Sequence, residues 1–218
     1  MIFETIKSII KFMCLFVIYA IVSSITVARI NNIYLSTLIP ALVVIIISFF
    51  INKDELKTSI KNIKKDFNKK IFIFGIITCI LSIIINLILT KVIGHTSNNQ
   101  TLLIENIHKY KLLYVLIITF IVPLCEEFLF RLPYSKSKNI FTFILSIIIF
   151  TLLHINSTSD FIFIGAYIIP TIGLTLNYFK TNNIYISYML HALNNLINVL
   201  LLIWWWYEEK KERIYIWN

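Results

Sequence analysis

Charge is what this chain has least of: Asp, Glu, Lys and Arg together make up 14% of its 218 residues, against 58% hydrophobic residues. Soluble domains are about 45 to 50% apolar, so the composition, with a mean hydropathy of +0.83, excludes a soluble fold and requires an integral membrane protein. Glycine is scarce too, and the four present, at 75, 94, 165 and 173, form neither a phosphate-binding loop nor a G-x-G-D motif. The three cysteines, Cys14, Cys79 and Cys125, lie in apolar stretches with no C-x-x-C pair, which makes them small buried hydrophobes rather than a redox or metal motif. There is no H-E-x-x-H zincin signature, no G-x-S-x-G nucleophile elbow, no internal repeat and no Gly/Ser linker. The net charge of +9 does not indicate nucleic-acid binding, because the lysines sit in short loops between apolar runs, where membrane orientation accounts for them.

What is present is a series of apolar runs. A spanning helix needs roughly 20 such residues, and seven runs come close: about 12–28, 33–51, 71–90, 112–131, 139–155, 161–179 and 184–207. The first is too long for a signal-peptide core and reads as an uncleaved span. With the N-terminus inside, the inner segments hold thirteen Lys and Arg and the outer segments seven, so the positive-inside rule predicts a cytoplasmic N-terminus. Most of the asymmetry comes from "NKDELKTSIKNIKKDFNKK", which is expected to be an amphipathic helix on the inner surface. The "WWWY" at 204–207 is expected to be an interfacial aromatic belt, and "EEKKER" after it a solvated stub. Pro40, Pro123 and Pro170 fall in or near spans and are candidate kinks. The fold class is all-α, a polytopic transmembrane bundle of about seven spans enclosing an intramembrane polar cavity. Residues 1–110 are its N-terminal helices with the basic inner loop, 111–207 its core and 208–218 a polar tail.

Against this background "PLCEEFLFRLP" at 123–133 stands out. An ionised side chain deep in a bilayer costs about 3 to more than 10 kcal/mol, so such groups face a cavity or one another. Glu127 and Arg131 are spaced i, i+4 with the acid first, the favoured pairing. Glu126 points elsewhere, because one residue turns a helix by 100°, and needs another partner or a wet cavity. The partners on offer are in "FTLLH", which sets Phe150 and His154 on one face of the fifth span, and in "HALNN", which does the same for His191 and Asn195 in the last. Each polar residue taken alone also reads as a hydrogen-bond link between helices. Together Glu126, His154, His191 and Asn195 are expected to converge on one site. His95 and His108, in the polar segment "GHTSNNQTLLIENIHKYK", are expected to be solvated loop residues.

E-E-x-x-x-R at 126–131, F-x-x-x-H at 150–154 and H-x-x-x-N at 191–195, in that order, resemble the CPBP family of CAAX-protease and bacteriocin-processing intramembrane proteases, also called Abi or Rce1-like. The resemblance covers about residues 110 to 200. It implies an intramembrane endopeptidase, acting on a peptide or on a lipidated or membrane-bound protein. The role would be CAAX-type processing or, in bacteria, maturation of pheromones and bacteriocins or immunity to them. It also implies that Glu126 and His154 activate water, that His191 and Asn195 stabilise the oxyanion, and that Glu127, Arg131 and Phe150 support the site. Zn²⁺ is the candidate cofactor if one is used, with Glu126, His154 and His191 as ligands. The residue bias toward AT-rich codons suggests a bacterial plasma membrane. Two other readings stand beside this one: a non-catalytic scaffold or immunity protein of the same fold, and a proton-coupled transporter. The transporter fits less well because no inverted repeat is visible.

Overall fold

The structure is a computed structural model that describes residues 2–216 apart from Asn31; the side chains of 108, 110, 111 and 205–216 lie outside that description. The described residues form nine α-helices: α1 (Ile2–Arg29), α2 (Ile33–Ile51), α3 (Lys53–Asp66), α4 (Lys69–Ile93), α5 (Asn98–Leu116), α6 (Val122–Phe130), α7 (Ile140–Leu152), α8 (Ile164–Thr181) and α9 (Ile184–Ile216). Six stretches among them are long and apolar enough to cross a membrane, namely α1, α2, α4, Leu112–Tyr134, Thr158–Thr181 and Ile184–Trp204. The protein is therefore an all-α polytopic bundle.

Where seven spans are expected, the fifth differs. Helix α7 has 13 residues, about 20 Å at helical rise, too short for a hydrocarbon core of about 30 Å. It starts at a capping box, with Asn139 accepting from the Thr142 backbone and Thr142 accepting from that of Asn139, and stops at Leu152. The polar stretch after Gly94 differs as well. Gly94 adopts a left-handed φ of 82° and ends α4, Ser97 caps the next helix, and α5 runs from Asn98, so His108 lies in a helix. Its side chain, like those of the aromatic belt from Trp205 and of the polar tail, lies outside the described residues; His95 is exposed in the bend before α5.

The lysine-rich segment folds as α3, an amphipathic helix. Its buried Leu56 packs with Phe128, Leu132, Tyr178 and Ile184, and this cluster closes one end of the bundle. Two polar ties hold the helix there: Asn183 Nδ2 donates to Ser59 O at 2.6 Å and to Asp66 Oδ2 at 3.0 Å. At the opposite end the buried Asp160 carboxylate accepts from the backbone N–H groups of Asn98 at 2.9 Å and Asn156 at 3.0 Å, pinning two loops together.

Helices α4 and α8 approach closely because Gly75 and Gly173 face each other. A Cβ on Gly173 would lie 2.0 Å from Thr78 Oγ1 and 3.2 Å from Gly75 Cα, the small-residue contact expected where lipid supplies no hydrophobic drive between helices.

Candidate active site

Between α5 and α6 lies one π-helical turn, Ile117–Ile121, and Pro123 accounts for it. Pro123 has no N–H to donate, while the Val122 N–H reaches Ile117 O instead of Ile118 O. The Ile118 carbonyl is thus left without a helical partner, and Asn195 Nδ2 donates to it at 3.0 Å. Such π turns recur at functional sites. Here it sits one turn before the two glutamates and fixes α9 against them.

Helices α6 and α7 are antiparallel, and their register is set by Ser146 Oγ, which donates to Phe130 O at 2.9 Å. One turn up α7 from Ser146 is Phe150, and one turn back along α6 from Phe130 is Glu126, so these two are level. His154 follows the end of α7 in a turn, its backbone N–H bonded to Thr151 O, and its ring reaches back so that Nδ1 lies 2.8 Å from Phe150 O.

Glu127 and Arg131 are fully buried and paired at 2.5 Å. The Arg131 guanidinium also donates from Nε to Thr175 Oγ1 at 3.3 Å and lies 4.8 Å from the centre of the Phe150 ring. Glu127 Oε1 accepts a second bond, from His191 Nδ1 at 2.9 Å. Phe150 thus touches Arg131, His154 and His191, with ring centroids 4.5 Å from His154 and 5.7 Å from His191.

These partners decide the tautomers. A carbonyl oxygen and a carboxylate paired with arginine can only accept, so Nδ1 of both His154 and His191 carries the proton and both Nε2 atoms are turned to Glu126. Glu126 Oε1 is 4.0 Å from His154 Nε2, and Oε2 is 3.3 Å from His191 Nε2. The nearer contact is attractive only with a proton between the two atoms, so Glu126 and His191 share one. The wider gap is open to the cavity, where the side chains of Glu126 and His154 keep 20% and 22% of their surface while His191 keeps 4%.

The structure thus brings Glu126, His154 and His191 together and sets Asn195 on the wall of the same cavity, which measures about 270 Å³. Several neighbours are not signalled by the charged motifs: Tyr167, whose ring lies 5.4 Å from that of His154, Thr175 and Ser146. Their only mark in the sequence is a polar atom in an apolar span. For zinc the donor types are suitable. Among the described residues no group of three His, Cys, Asp or Glu side chains is placed to hold one ion, and Glu126 presents a different oxygen to each ring.

Residues 108–197 match the family described as type II CAAX prenyl endopeptidase Rce1-like. A protein of Mycoplasma capricolum, described as uncharacterized, is 30% identical over 177 residues, which are 73% of this chain and 52% of that protein, so the chain spans about half the length of this relative. No solved structure matches. The matched segment contains Glu126, Glu127, Arg131, Phe150, His154, His191 and Asn195, and across it the chain is similar to the Rce1-like family.

Proposed function

We propose that the protein is an intramembrane endopeptidase that hydrolyses a peptide bond with water activated by Glu126. The observation that carries this reading is the carboxylate of Glu126 standing between two imidazole Nε2 atoms, with its outer oxygen open to the cavity. A water between Glu126 Oε1 and His154 Nε2 is held by two acceptors, which aligns a lone pair toward an incoming carbonyl carbon. Glu126 takes the proton as the water oxygen bonds to that carbon. The oxygen of the former carbonyl becomes an oxyanion, and it is met by Nε2–H of His191, whose ring is held in place by the Glu127 carboxylate behind it. Asn195 has one amide hydrogen committed to Ile118 O and its second for the oxyanion. Collapse of the intermediate breaks the C–N bond, and Glu126 passes its proton to the departing amine. Glu127 and Arg131 act at one remove, by fixing the tautomer and position of His191.

The substrate on this reading is a peptide or the terminal segment of a lipidated or membrane-bound protein. The charge asymmetry of the loops supports a cytoplasmic N-terminus in a bacterial plasma membrane. Glu126→Gln in protein reconstituted into lipid nanodiscs is expected to lower peptide cleavage by about 10²- to 10⁴-fold, the usual worth of a general base, with unfolding temperature unchanged. Unaltered turnover of a cleaved peptide removes the proposed base, whereas a peptide bound but never cleaved by the unmodified protein leaves a non-catalytic binding role as the better account.

A further inference from the structure

The cavity does not end at Glu126. It continues between α4, α5, α8 and α9 toward the end of the bundle away from α3, and its walls there carry the carboxamides of Asn86, Asn99, Gln100, Asn194 and Asn198. On α9 the residues His191, Asn194, Asn195 and Asn198 fall at i, i+3, i+4 and i+7, one face of the helix, so a ladder of amides climbs from the ionisable groups. Asn194 Oδ1 is buried with no hydrogen-bond partner, and Asn198 turns one N–H back to the Asn194 backbone oxygen at 2.8 Å. The other end is shut: Leu56, Leu132, Tyr178 and Ile184 are each 0% exposed beneath the site.

We propose that this arm is a peptide-binding subsite, taking about three residues of an extended, unlipidated chain that enters from the end opposite α3. The proposal rests on the endopeptidase reading and names the part of the substrate the cavity receives. Carboxamides present both a donor and an acceptor, the two groups that every backbone amide of a peptide needs paired once it leaves water. A hydrocarbon chain in the same place leaves those amides, and Asn194 Oδ1 above all, without partners. From His191 to Asn198 is about 10 Å at helical rise, which an extended peptide covers with about three residues at roughly 3.3 Å each. The matched family is described as a prenyl endopeptidase, and a prenyl group on any substrate of this chain lies outside the arm.

The test uses the full chain in nanodiscs and a mixed library of unlipidated octapeptides, with the same library S-farnesylated on a central cysteine as the second arm. Products are read by mass spectrometry, and peptides retained by immobilised Glu126→Gln protein are identified in parallel. Unlipidated members are expected to be cleaved at least as fast as farnesylated ones. The double variant Asn194→Leu/Asn198→Leu is expected to raise KM about tenfold with kcat within twofold. Asn86→Ala, on the facing wall, is expected to raise it about threefold and serves if the double variant does not fold. Cleavage confined to farnesylated members, or KM unmoved in the variants, overturns the subsite. Retention of unlipidated peptides without cleavage by the unmodified protein keeps the subsite and sinks the endopeptidase reading. Neither retention nor cleavage sinks both.

Discussion

Helix α1 and the span Leu112–Tyr134 cross the same bilayer under opposite rules. In the most apolar part of α1 only 17% of residues are buried, against 50% in Leu112–Tyr134. Helix α1 turns Ile10, Val17, Ile21 and Ile25 outward and is held mainly along one side, against α2 and the end of α6, through Phe12 and Leu15. Any apolar side chain satisfies lipid, so most of its sequence is specified only as to polarity. Leu112–Tyr134 carries Glu126, Glu127 and Arg131 into the interior, and there each polar atom is specified together with its partner. The difference separates the part of this protein that dissolves it in the membrane from the part that holds chemistry there.

The comparison is broken most severely by Arg131→Met. It leaves the buried Glu127 carboxylate without its guanidinium counter-charge, although His191 Nδ1 still donates to it, and removing one member of a buried ion pair costs about 3 to 5 kcal/mol. The expected outcome is a large fall in folded yield and in the detergent unfolding temperature, followed by scattering. Replacing both members, Glu127→Leu with Arg131→Met, is expected to restore most of the stability, because no uncompensated charge remains. It does not restore cleavage, since His191 Nδ1 has lost its acceptor. Recovery of activity along with stability contradicts the positioning role given to Glu127.

A smaller effect is expected where two helices touch without charge. In Gly173→Ala the new methyl meets Thr78 Oγ1 and the backbone of Gly75, forcing α4 and α8 apart at a cost of about 1 to 3 kcal/mol. Thr78→Ala in the same chain is expected to recover part of this, as it removes the hydroxyl but not the Gly75 backbone. Full recovery, read in the same unfolding assay, shows that the backbone contact is not limiting.

How much of this was legible beforehand follows the same division. The pairing of Glu127 with Arg131, and the isolation of Glu126 from it, follow from helical period alone, because both residues lie in one helix. The convergence of His154 and His191 on Glu126 was visible only as polar residues in apolar runs. Their distances depend on where α7 ends, and no charged or glycine residue marks that point. Reading 139–155 as a full span hid the end of α7 at Leu152 and the turn that carries His154. Asn195 was legible as facing inward, but its partner, Ile118 O, arises from a π turn whose one local signal is Pro123. Asn86, Asn194 and Asn198 were in plain view as amides in spans, yet a ladder requires knowing that α4 and α9 face the same cavity.

The smallest effect belongs to α1. Ile21 is 54% exposed on a helix that turns this face to lipid, and lipid tails are as apolar as the side chain they touch. In a soluble core the loss of an isoleucine side chain beyond Cβ costs about 2 to 5 kcal/mol. Here the surface that Ile21→Ala uncovers is covered by acyl chain, with no water to expel and no cavity to leave. The expected change in stability is within about 0.5 kcal/mol, with cleavage unchanged. A loss of the size seen in a core places this face of α1 against protein, a second copy of the chain being the simplest cover, and the division between a solvated span and a specified one then has to be drawn elsewhere.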